Sequence, residues 1–363
     1  MGVVHKLLYR VTNAKLYLCI GIVLCTMTMG FTTYFLRHGL DSNYNRVIKS
    51  GFQGKRSFDI ENELFAEAEL MSKSSLSTAT VVGKVFAPPT VRTKNYMDKI
   101  IYNRVGKCGS RSMLSLITRL SSRNNFLFYA SPVSNRTRVP LPESIKEVQV
   151  INNLPSPSLY SRHIHYLDLF KYGISGVVYI NMIRDPIERF SSQYHFLRYG
   201  DGIKAQGRRY EPWEGGDKDM DINDCILKNH QLCTAGRLFY VVPYFCGQDF
   251  LCHRPSKESL YRAKVHVMEN YLVVGYLEDF TGMLQVLEKL LPQFFTGSLK
   301  LWKDISADTM INTSTLKKQK INETAYAVLR ERMEIEYDFY NFVKTRFRII
   351  KKQMEIFDDD EAL

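Results

Sequence analysis

The chain has 363 residues, 45% of them hydrophobic, which is long enough for one large domain or two smaller ones. Its formal net charge of +12 sets aside cationic partners and leaves nucleic acid, acidic lipid, a nucleotide or a sulfated polysaccharide. The cellular compartment decides among these, and the N-terminus indicates it.

Residues 16–36, LYLCIGIVLCTMTMGFTTYFL, carry no charge and are long enough to cross a bilayer as a helix. Lys6, Arg10 and Lys15 precede this run without an acidic residue, so residues 1–15 are expected to stay cytoplasmic. A cleaved signal peptide would have a shorter apolar core ending in a clean small-x-small site. The expectation is therefore a single-pass type II signal anchor with the bulk of the chain in the secretory lumen, which removes nucleic acid from the partners. Residues 37–94 are polar, include SKSSLSTATVVGK and Pro88-Pro89, and read as a stem.

From about residue 95 the pattern alternates. MDKIIYNRV (97–105), GVVYINMIR (176–184) and LVVGYL (272–277) read as strands apolar on both faces, as in a parallel sheet. Helical runs follow each, over 111–122, 186–198 and 278–291, with Asp185 placed to cap the second and Pro186 in its first turn. The order predicts an α/β domain over 95–363, a central parallel sheet flanked by helices. Leu329, Met333, Tyr337, Tyr340 and Phe347 share one face of a helix predicted over roughly 323–348, before an acidic tail, FDDDEAL.

Two of the seven cysteines, Cys19 and Cys25, fall in the anchor. Cys225, Cys233, Cys246 and Cys252 fall within 28 residues as two close pairs, a pattern for local disulfides in an oxidising compartment. Neighbour pairing closes the shortest loops, although three pairings are open, and a zinc site would be expected to use a Cys-x-x-Cys spacing that is missing here. Asn135, Asn312 and Asn322 begin glycosylation sequons.

Three motifs carry chemistry. Gly106-Lys107-Cys108-Gly109-Ser110-Arg111 lies between a predicted strand and a helix, where glycines let backbone amides approach an anion. Lys107 and Arg111 add charge, and Ser110 and Ser112 add hydroxyls. The order differs from a nucleoside-triphosphatase loop, and a basic surface turn is the bland alternative. Arg184 and Ser192, on either side of a helix start, can clasp a second phosphate, although alone they read as an ordinary capped helix. Two such sites on neighbouring strands suit a nucleotide with phosphates at both ends of its ribose. In SRHIHYLDLF (161–170), His163 and His165 alternate with Ile164, so on a strand both would share a face. A histidine can serve as general base toward a sugar hydroxyl; the competing readings are a satisfied core histidine or a metal pair lacking a third ligand.

Taken in order, YNRVGKCGSR, RHIHYLDLFKYG, YINMIRDPIERF, FLRYGD and PYFCGQDFLC resemble the uronyl 2-O-sulfotransferases. These are Golgi enzymes related to heparan sulfate 2-O-sulfotransferase and to Pipe, and the resemblance runs over roughly residues 96–350. It implies a P-loop-like sulfotransferase fold, 3′-phosphoadenosine 5′-phosphosulfate as donor, and a hexuronic acid within a glycosaminoglycan as acceptor, without a metal. It implies that Lys107, Cys108, Gly109, Ser110, Arg111 and Ser112 hold the 5′-phosphosulfate, with Lys107 also catalytic, and that Arg184 and Ser192 hold the 3′-phosphate. His163 matches the catalytic base, with Ser161 and His165 at flanking positions that vary, and His165 is expected among the acceptor contacts. Arg104, Asp201 and Arg209 match acceptor contacts, and Lys204 and Arg208 extend that basic groove. Thr315, Lys317 and Lys318 correspond to an adenosine-contacting segment. The neighbour disulfide pairings and a trimeric assembly also follow from the family.

The heparan branch carries proline and small hydroxyl residues in the loop. This chain has Gly106, Cys108 and Gly109 there, together with the Arg-His-x-His arrangement of the uronyl and Pipe branch. Dermatan or chondroitin sulfate is therefore the expected acceptor over heparan sulfate or another glycoprotein glycan. Two other classes compete. An inactive glycosaminoglycan-binding protein would need none of Lys107, His163, Arg184 and Ser192 at these spacings, and a kinase would need a magnesium-binding motif.

Overall fold

The computed structural model describes residues 98–132, 136–200, 217–313 and 315–356. Five strands, β1 (Lys99–Tyr102), β2 (Leu127–Ala130), β3 (Ser158–Ser161), β4 (Val177–Ile183) and β5 (Tyr271–Tyr276), form one sheet in the order β2-β3-β1-β4-β5. Every pairing is parallel. Ile100, Ile101 and Tyr102 on β1 and all of β5 are buried, as expected for strands covered on both faces by helices. The longer helices are α1 (Ser110–Arg123), α2 (Leu141–Asn153), α3 (Pro186–Tyr199), α4 (Lys257–Asn270), α5 (Phe280–Leu290), α6 (Ser298–Thr313), α7 (Glu323–Arg332) and α8 (Glu334–Gln353).

The chain starts in the middle of the sheet, runs out to β2, returns through β3, then crosses β1 to reach β4 and β5. The direction of winding therefore reverses at β1, and the crevice at the carboxyl ends of such strands is where open α/β sheets bind ligands. All three motifs leave the sheet at that end. The glycine-rich turn follows β1, His163 follows β3 and Arg184 follows β4.

The three strands predicted from apolar runs are β1, β4 and β5, and the helices behind them fall within a few residues of expectation, with a 3₁₀ turn at Leu277–Asp279 before α5. The predicted helix start is built as expected: Asp185 Oδ1 accepts from the Glu188 amide at 3.0 Å, and Pro186 follows it. Two expectations are corrected. The predicted helix over 323–348 is two helices, separated at Met333, whose backbone (φ −108°, ψ 21°) leaves the helical range. Its apolar face is as read, because Leu329, Met333, Tyr337, Tyr340 and Phe347 are all buried. His163 and His165 do not lie on a strand. β3 ends at Ser161 because β1 ends opposite it at Tyr102, and beyond that point the amides of His165 and Tyr166 go to the Thr137 and Tyr244 carbonyls.

Cys225 pairs with Cys233 and Cys246 with Cys252, the neighbour arrangement, while Cys108 is a buried free thiol. The expected anchor at 16–36 and the stem at 37–94 lie outside the described residues. Among the described residues, no helix is long and apolar enough to cross a membrane. Asn135 is also outside them, and Asn312 falls in α6. Asn322 is exposed and caps α7 by accepting from the Ala325 amide at 2.8 Å.

Candidate active site

The turn after β1 is held in a shape that ordinary side chains resist. Gly109 has φ 72°, and a Cβ there would lie 2.5 Å from Leu277 Cδ1 and 2.9 Å from Met182 Cε. Lys107 takes a positive φ of 64° despite its side chain, a conformation that costs on the order of 1–3 kcal/mol and tends to persist at binding sites. At the other side of the turn, a Cβ on Gly106 would come within 2.6 Å of the Tyr240 hydroxyl. The 14-residue helix α1 then starts at Ser110 with a glycine cap, no capping side chain and no acidic residue in its first turn. Its leading amides and the positive end of its dipole are thus directed at the turn, an arrangement that favours an anion.

Cations crowd this spot. Burial, then the nearby Arg111 and Arg184, bring the Lys107 amine down to about 7. Its Nζ rests 3.9 Å above the Phe196 ring centroid. Burial pushes the Cys108 thiol up to about 12, so it stays protonated and contributes backbone and packing rather than a thiolate. Beneath the turn, the buried Arg189 lies 4.0 Å over the Tyr240 ring. The backbone of Tyr240 is fixed in turn by Glu336, whose buried carboxylate accepts from the Tyr240, Val241 and Val242 amides.

Arg184, the first residue past β4, reaches Glu188 Oε2 at 3.2 Å, and the same oxygen takes Lys318 Nζ at 2.6 Å. Lys318 belongs to a strap over 315–319 in which each residue meets α3 or its cap. Thr315 Oγ1 lies 3.1 Å from Ser192 Oγ, the Leu316 amide donates to Gly200 O at 3.2 Å, and Lys317 Nζ sits 5.0 Å over the Tyr199 ring. Lys318 pairs with Glu188, and the Gln319 amide donates to His195 Nε2 at 3.0 Å. The expected adenosine segment (Thr315, Lys317, Lys318) is therefore joined directly to the expected 3′-phosphate pair (Arg184, Ser192).

His163 completes the group. Its Nδ1 lies 2.8 Å from the Arg104 carbonyl, which can only accept, so Nδ1 carries the proton and Nε2 keeps its lone pair. Burial first, then the Arg104 and Arg111 cations, hold the imidazole at about 4, so it is neutral at physiological pH. The Arg111 charge is among the causes that lower both His163 and Lys107.

The backbone around His163 is pinned on both flanks. Arg162 is fully buried, with ion pairs to Glu143 (2.9 Å) and Glu147 on α2. On the other flank, Asn103 Nδ2 donates to the Ile164 and Tyr244 carbonyls, while its Oδ1 accepts from Asn181 and Tyr271. That saturates the Asn103 side chain inside the sheet. The sequence reading overlooked Asn103, Asn181, Arg162 and Phe196; a polar asparagine in each of two apolar strand runs is the signal that marks the first two.

His165 belongs elsewhere. It is buried with its ring centroid 5.0 Å from that of Tyr244, its amide donates to the Thr137 carbonyl, and the titratable groups acting on it are His253 and Arg138 rather than Arg104 and Arg111. The two histidines therefore do not share one surface. Of the expected acceptor contacts, Arg104 stands beside His163, whereas Asp201, Lys204, Arg208 and Arg209 lie outside the described residues.

The glycine-rich turn after β1, the Arg184 and Ser192 pair after β4 and the neutral His163 after β3 thus lie at one end of the sheet. Residues 91–343 match the model of the sulfotransferase family, and the chain belongs to that family. Uronyl 2-sulfotransferase of Homo sapiens is 39% identical over 269 residues, which are 73% of this chain and 66% of that protein. The Mus musculus uronyl 2-sulfotransferase is 38% identical over 270 residues, again 66% of the relative. A heparan sulfate 2-O-sulfotransferase of Caenorhabditis elegans is 31% identical over 264 residues, 79% of its length. This chain thus spans 66% of the length of the two uronyl enzymes.

Proposed function

We propose that this chain transfers a sulfuryl group from 3′-phosphoadenosine 5′-phosphosulfate to the 2-hydroxyl of a hexuronic acid, iduronic or glucuronic, in a glycosaminoglycan such as dermatan or chondroitin sulfate. The names of the relatives reported above and the chemistry of the residues at this site both support the reading. One observation carries it: the glycine-rich turn bearing Lys107 leaves the carboxyl end of β1, and His163, its Nδ1 held by the Arg104 carbonyl just before that turn, leaves the neighbouring strand β3 at the same end.

The residues fit the donor. Gly109 leaves room where a side chain would intrude, the start of α1 directs its leading amides toward the turn, and Lys107, Ser110, Arg111 and Ser112 stand there for the phosphosulfate end. Arg184 and Ser192, backed by Thr315 and Lys317, suit the 3′-phosphate and the nucleoside. The donor supplies an activated sulfuryl group. His163 Nε2 removes the proton from the uronyl 2-hydroxyl as that oxygen bonds to sulfur. Lys107 and the turn amides neutralise the charge that gathers on the departing phosphate oxygen. A positioned base contributes about 10²–10⁴-fold, and fixed dipoles and cations supply much of the remainder. Arg104, beside His163, is placed to meet the acceptor's carboxylate or sulfate. The apolar run at 16–36 and the disulfides support a Golgi membrane protein of type II topology, and the family supports a homo-oligomer.

The test is to incubate the full-length protein with sulfur-labelled donor and dermatan, chondroitin or heparan sulfate, then map the label by disaccharide analysis. The reading predicts label at the uronic acid 2-position of dermatan or chondroitin sulfate. Label confined to heparan sulfate would move the acceptor to the class of the nematode relative. Glycan binding with no transfer in any arm would leave an inactive binding protein.

A further inference from the structure

Along α3, Glu188, Ser192, His195 and Tyr199 form one stripe, and the 315–319 strap lies across it residue by residue. Among those contacts the one made by His195 is of a different kind. His195 is fully buried, and both of its ring nitrogens bond to backbone. Nδ1 lies 2.7 Å from the Ser191 carbonyl, which only accepts, so it must carry a proton. Nε2 lies 3.0 Å from the Gln319 amide, which only donates, so it must be bare. The local geometry admits one form, the neutral Nδ1–H tautomer. A proton added to Nε2 would face an N–H, and the strap would lose its buried attachment.

We propose that His195 is a positioning residue that locks the 315–319 strap onto α3 in its neutral form, and that its protonation loosens the donor pocket. The proposal rests on the reading above that this pocket holds the nucleotide. The strap carries Thr315, Lys317 and Lys318, and Gln319 also braces the neighbouring helix by accepting from the Ile222 amide at 3.0 Å. The charged groups acting on His195 are Lys318 from the strap and Arg198 from its own helix; Arg198 pairs with Asp217 at 3.4 Å. Burial and then these two cations lower the histidine's pKa. The lock is therefore closed through the neutral range and opens only as pH falls below the ordinary histidine value of about 6.5.

The test uses the full chain and 3′,5′-adenosine bisphosphate as probe, with affinity followed from pH 7.5 to 5 by calorimetry. His195→Gln places an uncharged acceptor near the Nε2 position, whereas His195→Ala removes it. At pH 7.5, His195→Ala is expected to bind about tenfold more weakly, one lost hydrogen bond's worth. Its kcat at saturating donor should stay within about twofold of wild type, since His195 touches no reacting atom. His195→Gln should bind like wild type at pH 7.5 and lose the extra weakening that the wild type shows on acidification, with the ligand's own phosphate titration common to both. Superimposable pH profiles for wild type and His195→Gln, or an unchanged affinity in His195→Ala at pH 7.5, would overturn the proposal. Failure of the wild-type chain to bind the nucleotide at all would instead overturn the pocket assignment, and the proposal with it.

Discussion

Lys107 carries the sharpest electrostatic consequence at the scale of single residues. Brought to about 7 by burial and two neighbouring cations, its amine is only about half protonated in the empty site at neutral pH. An anion bound in the turn favours the charged form, so its pKa rises on binding, and between about pH 7 and 9 the complex takes up a proton. Nucleotide titrations at pH 8 in buffers of different ionisation enthalpy are expected to show that uptake in wild type. Lys107→Met should lose it and bind more weakly; equal proton uptake in the two proteins would separate Lys107 from the anion. His163 is tuned differently. Held at about 4, it is neutral at physiological pH, and the Arg104 carbonyl rather than a carboxylate fixes its tautomer.

At the scale of elements, the turn between β1 and α1 works because of Gly109. Its left-handed backbone and the contacts a Cβ would make with Leu277 and Met182 predict that Gly109→Ala costs about 1–3 kcal/mol. The same change should also abolish measurable nucleotide binding by displacing the amides of α1. Gly236→Ala is the control, because a Cβ at that helical position meets nothing within 4 Å. Melting curves and nucleotide titrations of the two variants should differ in this sense; a Gly109→Ala protein that binds like wild type would contradict the cradle. What the sequence made legible here follows from physical range. β1, β4 and β5 could be read because strands buried on both faces are uniformly apolar, and the turn because its glycines interrupt that pattern. β1 is no longer than β2 and β3, but β3 begins and ends in serine and β2 is a partly exposed edge strand, so neither presented the buried apolar run that β1 does; the alternation of His163 and His165 mimicked a strand that the end of β1 does not support. The strap over 315–319 was legible only as a family counterpart, since its contact with Ser192 spans 123 residues and leaves no local pattern.

For the whole molecule, the buried and half-buried histidines set a common response to acid. His163 and His165 are held at about 4, and His195, His253 and His266 are also lowered, burial being the largest cause in each case. In the unfolded chain these side chains protonate near 6.5, so below that pH the unfolded state binds more protons than the native one. The stability they contribute is complete above about pH 6.5 and is lost as pH falls toward 4. Thermal melting from pH 7.5 to 5 should show a falling Tm, and a Tm that rises on acidification would contradict the neutral, buried assignment. The sheet brings the ends of β3, β1 and β4 together, with His163 held by the Arg104 carbonyl just before the glycine-rich turn. Single-turnover sulfuryl transfer by His163→Ala, with nucleotide affinity measured on the same preparation, tests that arrangement most directly. The account predicts that affinity for 3′,5′-adenosine bisphosphate stays near wild type while transfer to the uronyl 2-hydroxyl falls by about 10²-fold or more. Transfer at the wild-type rate by that variant would contradict it.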